Sequence, residues 1–125
     1  MMNKEEVLKI FNSNGDDLFD AIENGDNRRT DRIAKKLEKV FHAFVSNNEL
    51  AREYIPILLK SDNVAIRHWS AGFALGLEMF VDEAETELYN ISAKEYGINS
   101  LVAEYTLKTW KDQGKLYEHL KKNRF

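Results

Sequence analysis

"SDNVAIRHWSAGFALGL", residues 61–77, decides how the rest of the chain is read. It opens on small polar residues, which favour turns and helix caps. A nearly continuous apolar run follows, and after Ile66 apolar side chains cover almost the whole circumference of a helix. A helix over about 63–76 is therefore expected to be buried on most sides. Ser61 or Asp62 is placed to cap it and Gly76 to end it. Gly72 and Gly76, one helical turn apart, are read as permitting the close approach of another helix. Arg67 and His68 lie inside this run and raise the question of chemistry.

Composition limits the alternatives. One proline and six glycines in 125 residues indicate long helices with few turns. Period-2 alternation of β-branched residues is nowhere sustained, so a sheet is not expected. The length suits one domain over residues 1–125, and an apolar fraction of 43% is that of a globular chain. Without cysteine, disulfides and thiolate metal sites are excluded. No charged segment followed by an apolar leader core opens the chain. No apolar run reaches the roughly 18–20 residues of a membrane helix. A cytoplasmic protein without a membrane span is the expectation. The net charge of −3 argues against a dedicated nucleic-acid binder but leaves local basic patches open.

Apolar periodicity divides the chain into helices. Val7, Phe11, Leu18 and Ile22 keep one face in register across Gly15, which predicts one helix over about 3–24 with Gly25 as its left-handed cap. Ile33, Leu37, Val40, Phe41, Phe44 and Val45 give a wide stripe over 27–46. Asn47–Asn48 stop that helix and start a third over 49–60. Pro56 lies inside it and removes the bond to the Arg52 carbonyl. A fifth helix over 80–95 turns Ala84, Leu88 and Ile91 inward and is capped by Gly97. A sixth over 100–112 opens at Asn99, presents Ala103, Leu107 and Trp110 on one face, and ends at Gly114. A short seventh segment offers Leu116 and Leu120 as anchors.

A shift of 32 residues carries Leu59 to Ile91, Ala71 to Ala103, Phe73 to Tyr105 and Leu75 to Leu107. Helices three–four and five–six are thus similar units. "YIPILLKSDNVAIRHWSAGFALG" resembles a HEAT repeat through Pro56, Asp62, Val64, Arg67, Ala71, Ala74 and Leu75. The second unit lacks the proline and the arginine. The chain further resembles small single-domain bacterial HEAT-like proteins of unknown function, whose ending is matched by Ala103, Thr106, Leu107, Trp110 and Gly114. The resemblance implies an all-α fold: a HEAT-like or armadillo-like right-handed α-solenoid fragment of six to seven helices in antiparallel pairs. It implies packing and carries no chemistry.

Individual residues give little sign of catalysis. The resemblance implies that Arg67 pairs with a carboxylate at a turn and orders neighbouring helices. His68 has no histidine or carboxylate partner at metal-ligand spacing, and His42 and His119 are distant in sequence, so it reads as a surface or boundary residue. Asp16, Asp17, Asp20, Glu23 and Asp26 lack the spacing of a calcium loop and read as a solvated acidic face. Arg28, Arg32, Lys35 and Lys39 form a row that could contact phosphates, but Asp31 and Glu38 interrupt it and it reads as a solvated face. No phosphate loop, nucleophile elbow or nucleophile–base pair can be named. Trp69 and Trp110 read as packing residues.

The function expected is therefore a non-enzymatic protein-interaction module, with an immunity or antitoxin-like protein capping a toxin as its concrete form. An acidic face would complement a basic partner and speed encounter. Nucleic-acid-backbone binding by helix two and the "KKNR" at 121–124 is the alternative. No cofactor or metal is expected. The expected partner face is the polar side of helices four and six: Arg67, His68, Glu104, Lys108 and Lys111.

Overall fold

Local capping fixes several of the helix boundaries. In the computed structural model, which describes residues 4–118 and 121, the elements are α1 (Lys4–Glu23), α2 (Asn27–Ser46), α3 (Asn48–Leu58), α4 (Val64–Leu77), α5 (Val81–Lys94) and α6 (Gly97–Gln113). Among the described residues there is no strand. Helix α1 runs unbroken through Gly15. It closes as the sequence predicts: Gly25 takes φ +69°, its N–H bonds to the Ile22 carbonyl, and the Asp26 N–H reaches Ala21. Asp26 then caps α2 by accepting from the Arg29 N–H at 3.1 Å. Asn47 caps α3 in the same way through Leu50.

Several boundaries differ from the sequence reading: α3 ends at Leu58 rather than at residue 60, and Glu95, not Gly97, is the C-cap of α5. Asn63, rather than Ser61 or Asp62, caps α4, accepting from the Ile66 N–H at 3.0 Å. Its amide also donates to Asp16 at 2.7 Å, fastening the start of α4 to α1. Helix α4 passes through Gly76 and ends one residue beyond it, with Glu78 in the left-handed region at φ 58°. The Met79 N–H bonds back to Ala74 and the Glu78 N–H to Leu75, so the cap forms without a glycine. Helix α6 starts at Gly97, two residues before Asn99.

Gly76 serves packing instead of the cap. A Cβ there would lie 2.9 Å from Tyr117 Cδ2, 3.1 Å from Phe41 Cε1 and 3.2 Å from the Leu116 carbonyl oxygen. A Cβ on Gly72 would meet the Tyr117 hydroxyl at 3.0 Å. The Gly72–Gly76 pair is thus a slot on α4 that receives the Tyr117 ring, not a seat for another helix. Tyr117 also stacks against Phe41 and Phe73, with ring centroids 5.2 and 5.6 Å apart. The expected seventh segment is described only at this start; His119, Leu120 and residues 122–125 lie outside the described residues.

Helix α4 is the centre of the molecule. It packs against α1, α3, α5 and α6, and Phe41 of α2 meets its Phe73 at 5.3 Å. Ser70 to Gly76 are buried without a break. The helices otherwise pack in neighbouring pairs, α1 with α2 and α5 with α6. In α1 the inward positions are Val7, Phe11, Asn14, Leu18 and Ala21, alternating steps of four and three. Ile22, expected inside, is exposed. Asn14 satisfies its buried amide on the Ile10 carbonyl at 2.9 Å.

The slot sets a test. Gly76→Ala should gain about 1 kcal/mol of helix propensity, yet we expect a net loss of about 1–2 kcal/mol because the Tyr117 ring must move. In a Tyr117→Ala background the same substitution should cost less, with the contacts to Phe41 and the Leu116 carbonyl remaining. Denaturant unfolding of the four proteins measures this coupling; equal effects in both backgrounds would show that Tyr117 does not occupy the slot.

Candidate interaction surface

The five expected partner residues separate into three environments. Arg67 is committed to structure. Its Nε donates to Glu87 Oε1 at 2.9 Å and its Nη1 to the Ser61 carbonyl at 2.6 Å, with Glu95 at 4.0 Å from Nη2. The guanidinium therefore ties the α3–α4 turn to α5. Both side chains of the Arg67–Glu87 pair are about three-quarters covered, so removing either would leave a charge short of partners. These groups line a cavity of 460 Å³ between the α3–α4 turn and α5.

His68 corrects the sequence reading. It is only 1% exposed and lies in the core among α1, α4 and α6. Its Nε2 sits 3.1 Å from Thr106 Oγ1, and the Phe19 and Trp69 rings stand against it at 5.3 and 5.2 Å. His68 Nδ1 and the Trp69 Nε1–H have no hydrogen-bond partner among the described residues. Burial pushes the imidazole down to about 4, with the Val102 backbone acting weakly in the opposite sense. The missed signal was spacing: His68 precedes Ala71 by three residues and Leu75 by seven, so it shares their inward face. No residue of α4 is exposed, so the helix has no outer side to offer a partner beyond the partly covered Arg67 and Trp69.

Glu104, Lys108 and Lys111 are placed as expected, exposed on the outer side of α6. None makes an ion pair among the described residues. Sequence reasoning missed what lies between them. Leu101 is 63% and Tyr105 72% exposed, and with Glu104 and Lys108 they follow the i, i+3, i+4, i+7 spacing of one helical face. The repeat alignment had matched Tyr105 to the buried Phe73, which hid its exposure. Tyr89 on α5 and Tyr96 before α6 are also exposed. The inner side of α6 is anchored by Ala103, Thr106 and Leu107, and by the Trp110 Nε1–H donating to Glu85 at 2.9 Å.

The acidic segment is largely used within the fold. Asp20 and Asp17 hold Arg29 at 2.9 and 3.6 Å, Asp16 accepts from Asn63, and Asp26 caps α2. Among the described residues no three His, Asp or Glu side chains converge as a metal site. No described helix is long and apolar enough to cross a membrane. The chain matches no family model, no curated protein and no solved structure. Functional inference therefore rests on these surfaces.

The buried imidazole sets a pH prediction. His68 titrates near 4 when folded and near 6.5 when unfolded, so the unfolded chain binds more protons across that window. Stability from this group is complete above pH 6.5 and is lost as pH falls toward 4. We expect a loss of about 2 kcal/mol between neutral pH and pH ~5, reduced in His68→Gln. Equal pH dependence in the two proteins would mean that His68 is solvated.

Proposed function

We propose that this chain is a non-enzymatic protein-interaction module whose docking face is the outer side of α6. The observation that carries this reading is the exposure of Leu101 and Tyr105 on the same outer side of α6 as the unpaired charges Glu104 and Lys108, with Lys111 beyond. Large apolar and aromatic side chains held in water on a well-anchored helix suit a partner surface. Leu101 and Tyr105, at i and i+4, supply two apolar anchors of a helix-mediated contact, with Glu104 and Lys108 beside them. Arg67 and the buried His68 support the helices from behind and do not touch the partner.

The arrangement of α3–α4 and α5–α6 as successive packed pairs supports a HEAT-like architecture. In that architecture the second helices of the units carry binding surfaces. The form of the module we propose is an immunity or antitoxin-like protein. The net charge of −3 and the exposed acids of α1 would draw a basic toxin toward it.

The test uses the full chain as bait in cell extract, mass-spectrometric identification of the captured protein, and calorimetry with that partner after purification. Leu101→Asp and Tyr105→Asp should each weaken binding by at least about tenfold, the range of an interface anchor. Helicity and the unfolding midpoint should be unchanged, since both side chains are exposed. A partner that binds both variants like the parent, or is lost only on charge reversal at Asp16 and Asp20, would move the site to α1 and reject this face.

A further inference from the structure

The outer face of α2 is a second surface whose charge the fold leaves open. Arg28, Arg32, Lys35 and Lys39 recur at steps of four, three and four, so they lie in one row. All four are exposed, as are Lys36 beside them and Lys9 on α1. None of these six cations makes an ion pair among the described residues. The contrast with Arg29 is informative. Arg29, seven residues before Lys36 and on the same flank of α2, takes Asp17 and Asp20 of α1, so those two acids are already matched. Asp31 and Glu38 border it on one side only, and Lys36 and Lys9 extend it on the other.

An open groove of 460 Å³ between side chains of this one helix is lined by Arg28, Asp31, Arg32, Lys35, Lys36 and Lys39. A second, of 350 Å³, runs between α1 and α2 and shares Lys36 and Lys39 with the first while adding Lys9 and one carboxylate, Glu6. The two form one track from Arg28 to Lys9. From Arg28 to Lys39 the track spans about 16 Å at the helical rise. Because successive phosphates wind around the duplex, a straight row of this length faces about two or three of one strand, and Lys36 and Lys9 are placed beside it to reach about one more.

We propose that this α2 face binds the phosphate backbone of a nucleic-acid duplex. The α2 groove has no aromatic side chain to stack on a base and no amide side chain to read one, so the contact is to backbone and independent of sequence. An anionic membrane fits less well. The α2 groove lining is wholly charged, and a helix lying in a bilayer interface needs an apolar face that this one has turned into the core through Ile33, Leu37, Val40 and Phe41. This surface lies on a different helix from the docking face of α6 and does not depend on it.

Fluorescence anisotropy with a labelled mixed-sequence DNA duplex of about 20 base pairs, titrated between about 50 and 200 mM salt, tests the assignment. Binding should be micromolar at low salt, with log K falling against log salt at a slope of about −3 to −4. Arg32→Gln combined with Lys35→Gln should weaken binding at least about tenfold and flatten the slope by about 2. Lys108→Gln on α6, and Lys122→Gln with Arg124→Gln near the C-terminus, should leave both unchanged. Circular dichroism confirms that each variant is folded. Absence of binding at low salt overturns the proposal. So does binding that survives the α2 double variant, or that is lost with Lys108 or with Lys122 and Arg124. Capture by phosphatidylserine vesicles without duplex binding overturns it in favour of a membrane.

Discussion

Helix α4 has no side that faces solvent, and the other helices are arranged by that fact. A helix packed from every direction can tolerate bulk only where a neighbour leaves a gap. Its sequence from Ser70 to Gly76 accordingly alternates small residues with Phe73 and Leu75. Where Phe41 and Tyr117 press closest, the residue is glycine. Most polar atoms of such a helix find partners inside the protein; His68 Nδ1 and Trp69 Nε1 are the exceptions among the described residues. Ser70 uses the Arg67 carbonyl, Arg67 uses Glu87 and Ser61, and His68 uses Thr106. The side chains that looked most chemical in the sequence are those the core requires to be satisfied.

Function is therefore displaced to the periphery, and the distribution of ion pairs decides where. Carboxylates on α1 and α5 are matched with Arg29 and Arg67, the cations that tie one helix to another. The cations that α2 and α6 turn outward have no such duty. An unpaired surface charge contributes little to stability, so these rows are free to be read by another molecule. The two faces differ in kind. On α6 the charges flank exposed Leu101 and Tyr105, which suits a protein surface. On α2 they stand alone along a groove, which suits a polyanion.

Much of the architecture was legible because it is encoded locally. The stripe from Ile33 to Phe44 returned helix α2 with both ends as expected, and the register from Val7 to Leu18 carried α1 through Gly15. The failures share one physical cause. A glycine in sequence does not say whether it serves a backbone angle or a neighbour's ring; Gly25 does the first and Gly76 the second. A histidine beside a tryptophan looks like a boundary residue until its spacing to Ala71 is weighed. On the candidate surfaces the charges of α6 were legible, but the exposure of Leu101 and Tyr105 was not. Which apolar residues lack a cover depends on the path of the chain, which periodicity does not give; among the described residues after Gly114, Tyr117 turns toward α4.

Native-state hydrogen exchange across the chain tests the central claim most directly. If α4 is the element on which all others pack, the amides of residues 70–77 should exchange only through global unfolding, with protection matching the free energy from denaturant titration. The ends of α2 and α6 should open locally and exchange faster. Amides of α4 that exchange by local opening, faster than those in the middle of α2, would contradict the account.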